Sequence, residues 1–307
     1  MHQPLLLGTS RKPPMTTLSF GGGQDSAALL NLLIADPTFR QKYAPGLLTV
    51  VMSDTGDEYT ETLTYVEQVK QLCQAHGITF IHVTPDLGFH SPAWQSLYGQ
   101  WDRNHTIQSL AFGRTCSSNL KLGPLLRALN AHVAQVYGYA PSAPRRQLSA
   151  LYAYAAEHGP MPMMIGFAAG EERRVKPAQT QVIIDTMHRI YPLIDLGLNR
   201  RGCQETIHAL GGVTPYPSNC RSCPFASAHD LLRLEVQEPA ALARWMAAEE
   251  RKLAAPKWQG TRNHTVFAND LTIRQSLERA HRKYPGIDLQ ELNHIRFQRG
   301  HATTTSF

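Results

Sequence analysis

The feature that most limits the fold is Leu47–Ser53 (LLTVVMS), an unbroken apolar run rich in β-branched residues. A half-exposed strand alternates apolar and polar residues, whereas an unbroken run is covered on both faces, as in a parallel sheet. Its neighbours agree. Met15–Phe20 reads as a strand entering three glycines, and Ser26–Ala35 (SAALLNLLIA) as the helix leaving them. Leu63, Val66, Val69 and Cys73 mark one face of a helix over Thr60–His76, with Gly77 as its stop, and Ile78–Val83 is a third strand. Strand and helix alternate three times, so the pattern predicts an α/β fold, a parallel sheet flanked by helices.

Beyond the third strand the signals are mixed. Pro85–Thr115 is irregular, Asn119–Val136 reads as a helix that Pro124 must bend or begin, and Tyr137–Arg146 is a connection. Met163–Phe167 and Arg189–Ile194 are the remaining strands. Arg201–Leu210 is a short helix, Gly211–Phe225 a cysteine-bearing loop, and Ala226–Leu253 one helix, followed by one or two more and a polar end, His301–Phe307, expected to be disordered. A chain of 307 residues holds one large domain with a smaller, mainly helical C-terminal region. The division falls at 15–226 and 227–300. No run approaches the roughly 18 apolar residues of a membrane span, and the apolar run at the N-terminus is too short for a signal peptide. A soluble, cytoplasmic protein is expected.

Basic residues outnumber acidic ones by 30 to 24, and the segment from Arg244 to Arg299 supplies five of the six excess charges. Trp258, Phe267, Tyr284 and Phe297 are interleaved there. Two readings stand: a nucleic-acid footprint, in which basic groups meet phosphates and rings meet bases, or the solvated face of a helical tail.

The glycines lie in Leu18-Ser-Phe-Gly-Gly-Gly-Gln-Asp-Ser26. No Lys-Ser/Thr pair follows them, so they are not a Walker-type loop, and they are contiguous rather than spaced as in a dinucleotide fingerprint. Glycines nevertheless let backbone N–H groups approach an anion, and the helix that follows presents its positive end to it. Ser26 would donate to phosphate, and Asp25 would meet a magnesium ion.

Strand, Gly-Gly-Gly-Gln-Asp-Ser, helix resembles the PP-loop, usually Ser-Gly-Gly-x-Asp-Ser, of ATP pyrophosphatases and of adenylyl-sulfate and phosphoadenylyl-sulfate reductases. Gly22, Gly23, Asp25 and Ser26 match, and Gly21 stands where the motif's first serine usually stands. Four further elements follow in the family's order. Ser53-Asp-Thr-Gly-Asp-Glu58, at the end of the second strand, is similar to an Asp-Thr-Gly-x-Glu of the reductase-like members, and Asp54 would bind ribose, adenine or magnesium. Arg114-Thr-Cys-Ser-Ser-Asn-Leu-Lys-Leu-Gly-Pro-Leu125 resembles the segment in which iron-sulfur reductases carry adjacent cysteines, then lysine, then Pro-Leu. Cys116, Lys121 and Pro124 match, and Ser117 replaces the second cysteine. Gly166-Phe-Ala-Ala-Gly-Glu-Glu-Arg-Arg174 looks like a Gly-x-x-x-x-Glu-x-x-Arg element, whose Arg174 would clamp a phosphate or sulfate. Tyr191-Pro-Leu193 and the cysteine loop Ser218-Asn-Cys-Arg-Ser-Cys-Pro-Phe225 complete the set.

The resemblance, over roughly residues 15 to 226, implies an adenine nucleotide α-hydrolase-like fold and a site made of Ser19, Gly21, Gly22, Gly23, Asp25, Ser26, Asp54, Arg114, Lys121 and Arg174. Gly22, Gly23 and Ser26 would hold pyrophosphate, and Lys121 and Arg174 would stabilise charge in transfer. Cys116, Cys203, Cys220 and Cys223 would close a 4Fe-4S cluster, Cys203 filling the place left by Ser117; spacing alone separates this poorly from zinc. Cys73 is a core thiol on its helical face. The implied activity is ATP-dependent, pyrophosphate-releasing sulfur transfer to a nucleic acid or nucleobase-type substrate, as in tRNA and DNA thiolation enzymes. The implied partners are ATP, Mg2+, tRNA or DNA, a sulfur donor protein or sulfide, and a second copy of the chain, without a membrane. Two alternatives stay open: a sulfonucleotide reductase, although no cysteine follows Cys223 to act as its mobile nucleophile, and an ATP-binding subunit of a DNA-modification or defence complex.

Overall fold

The computed structural model describes residues 12–111, 115–140, 148–175, 180–255, 264–267 and 270–299. Five strands, β1 (Met15–Ser19), β2 (Leu47–Ser53), β3 (Thr79–Val83), β4 (Met161–Ile165) and β5 (Met187–Ile190), form one sheet in the order β3-β2-β1-β4-β5, every pair parallel. Register places Leu18 between Val50 and Met164. Chain direction across the sheet reverses between β1 and β4, and a crevice opens there at the C-terminal ends of the strands.

Burial of β2 on both sides is the reason for its unbroken apolar run: Val50 and Met52 face one core, Val51 the other. The first core is covered by α1 (Gln24–Ala35), α2 (Pro37–Tyr43) and α3 (Thr60–Ala75). Val66, Val69 and Cys73 all face inward from α3, so Cys73 is the core thiol its helical spacing implies. After α4 (Leu97–Asn104), the second core is covered by α5 (Gly123–Tyr137) and α6 (Ser149–His158), with Ile183 of α7 (Gln181–Thr186) at its edge. Among the described residues no helix is long and apolar enough to cross a membrane.

Several element boundaries were decided by proline at a helix start, where its missing N–H costs nothing. Pro124 lies in the first turn of α5, which follows a π-helical segment, Ser117–Leu122. Pro192 opens the single turn α8 (Pro192–Asp195), so the strand expected over Arg189–Ile194 instead runs from Met187 and stops at Ile190. The helix α9 (Arg200–Ala209) packs on α1. Pro239 splits the single helix expected over Ala226–Leu253 into α10 (Ala228–Gln237) and α11 (Pro239–Ala254). Two more helices follow, α12 (Ile273–Lys283) and α13 (Leu289–Arg299).

The C-terminal helices share a third core with the stretch between β3 and α5. Leu97, Trp101, Ile107 and Leu120 pack with Leu231, Trp245, Phe267 and Leu292. A division at 226/227 therefore runs through a packed interior. Phe267 is buried here, Tyr284 packs against the same cluster, and Phe297 meets the edge of Tyr216. Those three rings serve packing, not an exposed stacking surface; Trp258 and His301–Phe307 lie outside the described residues. Arg251 pairs with Asp102 and Arg274 with Glu250 on the exposed face of this region.

Candidate functional site

At the β1/β4 crevice lies a cleft of about 290 Å³, lined by Ser19, Gly21, Gly23, Asp25, Ser26, Lys121 and Arg174 among others. Seven residues picked out in the sequence thus meet in one place. The glycine turn is shaped by its neighbours. Gly22 has φ of +74°, and a Cβ there would stand 2.9 Å from Thr62. Gly166, just beyond β4, presses so closely on the start of α1 that a Cβ would come within 2.8 Å of the Ser26 amide. The N-cap of α1 is Gly23, and no side chain caps the first turn, so its N–H groups are available to an anion. The Ser26 hydroxyl braces the turn instead of standing free: it donates to the Gly23 carbonyl at 3.0 Å and accepts from the Gly21 amide at 3.2 Å.

Charge in the cleft is arranged as a chain. Arg174 pairs with Glu171 at 2.7 Å, Arg200 bridges Glu171 at 3.4 Å and Asp25 at 3.1 Å. Arg174 also lies 4.3 Å over the ring of Phe167, which holds its plane. Burial raises the Asp25 carboxyl above the ordinary range, opposed chiefly by Arg200. Its Oδ2 takes the Arg200 bond, while Oδ1 is buried without a hydrogen-bond partner. An unpartnered carboxylate oxygen at a phosphate-binding turn suits a divalent cation, so Asp25 fits the magnesium role. Arg200, Gln24 and Ser218 line the cleft too: Arg200, the first residue of a helix, lies in no motif, while Gln24 and Ser218 lie within quoted stretches that gave them no role.

Asp54 is placed otherwise than expected. It does not line the cleft; its Oδ1 accepts from the Gly56 amide at 2.7 Å in a local turn, and its other oxygen lies 3.9 Å from His82. The rest of Asp54–Glu58 serves the cysteine loop. Thr55 Oγ1 donates to Glu58 at 3.0 Å and lies 3.2 Å from Cys220 Sγ, and Asp57 accepts from the Ser222 amide at 2.8 Å and pairs with Arg221 at 3.3 Å. Arg114 lies outside the described residues.

The four cysteines expected to act together are divided. Cys203 is buried in the core between α1 and α9, and the charged groups acting on it are Asp25, Arg200 and Glu171. Cys220, Cys223 and Cys116 all act on Lys121, whose ammonium is raised chiefly by Glu58, 3.7 Å away, against an opposing effect of burial. Burial pushes the Cys223 thiol up to about 11 and Cys220 well above its ordinary value. Among the described residues no three His, Cys, Asp or Glu side chains are gathered closely enough to hold a single metal ion. In kind, thiols are the donors a thiolate-ligated group takes, and Cys203 stands apart from the other three.

Lys121 lines the cleft and is also acted on electrostatically by Cys116, Cys220 and Cys223. Residues 15–141 match the family model for the phosphoadenosine phosphosulfate reductase domain. Residues 15–141, less than half of the chain, are thus similar to a domain of the phosphoadenosine phosphosulfate reductase type. The matched part of this reductase-like domain includes the glycine turn, Asp54–Glu58, Cys116 and Lys121, while Arg174, Arg200 and the cysteine loop lie beyond it. No curated protein matches the chain. Among solved structures it is similar to the U34-tRNA thiolase NcsA from Methanococcus maripaludis with its 4Fe-4S cluster, at 12% identity, over 91% of this chain and 83% of that one, with a TM-score of 0.34. At that score nothing about the chemistry of the reductase-like domain follows from the likeness.

Proposed function

We propose that the protein activates a substrate carbonyl with ATP and exchanges its oxygen for sulfur, on a nucleic acid or nucleobase-type acceptor. The observation that carries this reading is Lys121, a single cation shared by the phosphate cleft and by Cys116, Cys220 and Cys223. A nucleotide held in the cleft would place its reacting phosphate near Lys121 and the cysteine loop, as coupling of activation to sulfur transfer requires.

In the first step the substrate oxygen attacks the α-phosphate of ATP; an O–P bond forms, the α–β bridge breaks and pyrophosphate leaves. In the second, sulfide adds to the activated carbon and AMP departs with the original oxygen. The N–H groups of the glycine turn and of the α1 N-terminus would hold the pyrophosphate, with Arg174 and Arg200 countering its charge. Asp25 Oδ1 would hold Mg2+. Lys121 would stabilise the anionic α-phosphate in transfer. Cys116, Cys220 and Cys223 would hold a 4Fe-4S cluster, and the group would supply a binding place for sulfur.

The matched family favours a second reading, reduction of a sulfonucleotide by a thiol. Against it, the two cysteines outside the trio, Cys73 and Cys203, are both fully buried and unable to swing toward a substrate. One assay separates the readings. Pyrophosphate release from ATP that rises with added tRNA or DNA supports the first; sulfite release from adenylyl-sulfate or phosphoadenylyl-sulfate without it sinks the first in favour of the second. ATP binding with neither product leaves a nucleotide-binding subunit.

A further inference from the structure

Position 21 bears no side chain, and the one hydroxyl in Gly21–Ser26, that of Ser26, is engaged within the turn. A hydroxyl from elsewhere stands in this space. Ser218 Oγ lies 3.7 Å from the point a Cβ on Gly21 would occupy and 2.9 Å from the corresponding point on Gly23; the Ser218 amide is 3.2 Å from the latter. Ser218 lines the cleft with the glycines, Ser26 and Lys121, and its hydroxyl has no hydrogen-bond partner among the described residues.

The segment that carries Ser218 is fixed on both sides. The Pro215 carbonyl accepts from Gln24 Nε2 at 3.1 Å, and Gln24 is the first residue of α1. Arg296 of α13 donates to the Pro217 carbonyl at 2.8 Å and to Asn219 at 2.6 Å. Both anchors are fully or almost fully buried, so the hydroxyl is delivered to a set position beside the turn.

We propose that Ser218 is a phosphate-binding residue of the nucleotide site, its hydroxyl donating to the phosphate chain lying over Gly21–Gly23. The inference rests on the nucleotide reading given above and adds a residue outside the glycine turn. It also assigns a second role to two of the three glycines. Besides exposing N–H groups, Gly21 and Gly23 leave room for the segment 215–219, and any side chain at Gly23 would displace Ser218. Cys220 lies two residues further on, so the same fixed segment touches the phosphate chain and carries a thiol.

The test is the affinity of the full-length protein for Mg-ATP in four forms: wild type, Ser218→Ala, Gly21→Ser and the double variant. Gly21 lies outside the positive-φ region and its surroundings leave room for a side chain, so a serine there is sterically admissible once Ser218 Oγ is gone. Ser218→Ala should weaken binding roughly 10-fold, the loss of one hydrogen bond to a charged acceptor. The double variant should regain most of it, because the new hydroxyl enters the same space, while Gly21→Ser alone should gain nothing. Equal affinity of Ser218→Ala and wild type overturns the assignment and leaves the nucleotide reading intact. A loss that Gly21→Ser does not rescue also overturns it, since it would mark Ser218 as a structural residue. Failure of the wild type to bind Mg-ATP overturns both.

Discussion

The cleft at the glycine turn and the cysteine loop both involve Lys121 but are built by opposite means. The cleft is made of backbone amides and half-buried charges, in which every guanidinium is balanced by a carboxylate: Arg174 by Glu171, Arg200 by Glu171 and Asp25. Such a site is ready for a polyanion, which would take over the arginines from carboxylates already in place. In the cysteine loop burial raises the Cys220 and Cys223 thiols, which favours their protonated forms, and a metal group or a second cation would favour thiolates there. The lesson is that the two halves should fail separately. Loss of a thiol should leave nucleotide binding intact, and loss of an arginine should leave the metal group intact.

The largest effect that would break this separation is on metal content. Cys220→Ser should abolish iron incorporation in anaerobically purified protein while Mg-ATP affinity stays within about twofold; a parallel loss of affinity would show that the two sites form one. Next comes Arg200→Ala, which removes a guanidinium that lines the cleft and leaves Asp25 buried beside Glu171. It should weaken Mg-ATP binding roughly 10- to 100-fold with iron unchanged, and an unaltered titration would remove Arg200 from the site.

Asp57 probes the join between the halves. Burial raises its carboxyl to about 6, against opposing bonds from Ser222 and Arg221. With the folded value above the unfolded one, the folded state binds the extra proton between roughly pH 4 and 6, and stability falls as pH rises through that window. Asp57→Asn should therefore flatten this part of the stability curve by roughly 2 to 3 kcal/mol, measured as the difference between variant and wild-type denaturant unfolding across that range. Identical curves would place Asp57 outside the linkage. The smallest effect belongs to Cys203→Ala, which should cost about 1–2 kcal/mol of stability as a small core cavity and retain full iron content. Iron loss in that variant would return Cys203 to the ligand set.

How far the sequence carried can be seen residue by residue. β2 and α3 were legible because burial on two faces and on one face each leave a distinct apolar period. The α10–α11 break and the end of β5 were missed although the prolines were in view, since a proline inside an apolar pattern is compatible with either a helix start or a strand end. Ser19, Asp25, Ser26, Lys121 and Arg174 were found from motif order, and they meet in the cleft. Asp54 was misplaced because an acidic residue at a strand end can turn toward ligand or back onto its own loop, a choice made here by the Gly56 amide.

By itself the chain determined the parallel sheet, the glycine turn between β1 and α1 and the kinds of donor available, because hydrophobic period, glycine placement and thiol spacing are local properties of the polypeptide. Only tertiary structure decided which residues those local pieces meet. Arg200 reaches Asp25 across 175 positions of chain. Gln24 is tied to Pro215, and Cys203 is drawn into the core by the packing of α9 on α1 while the other three thiols act electrostatically on Lys121. Contacts between distant segments are set by how helices and loops close over the sheet, and that closure leaves no periodic trace in the sequence.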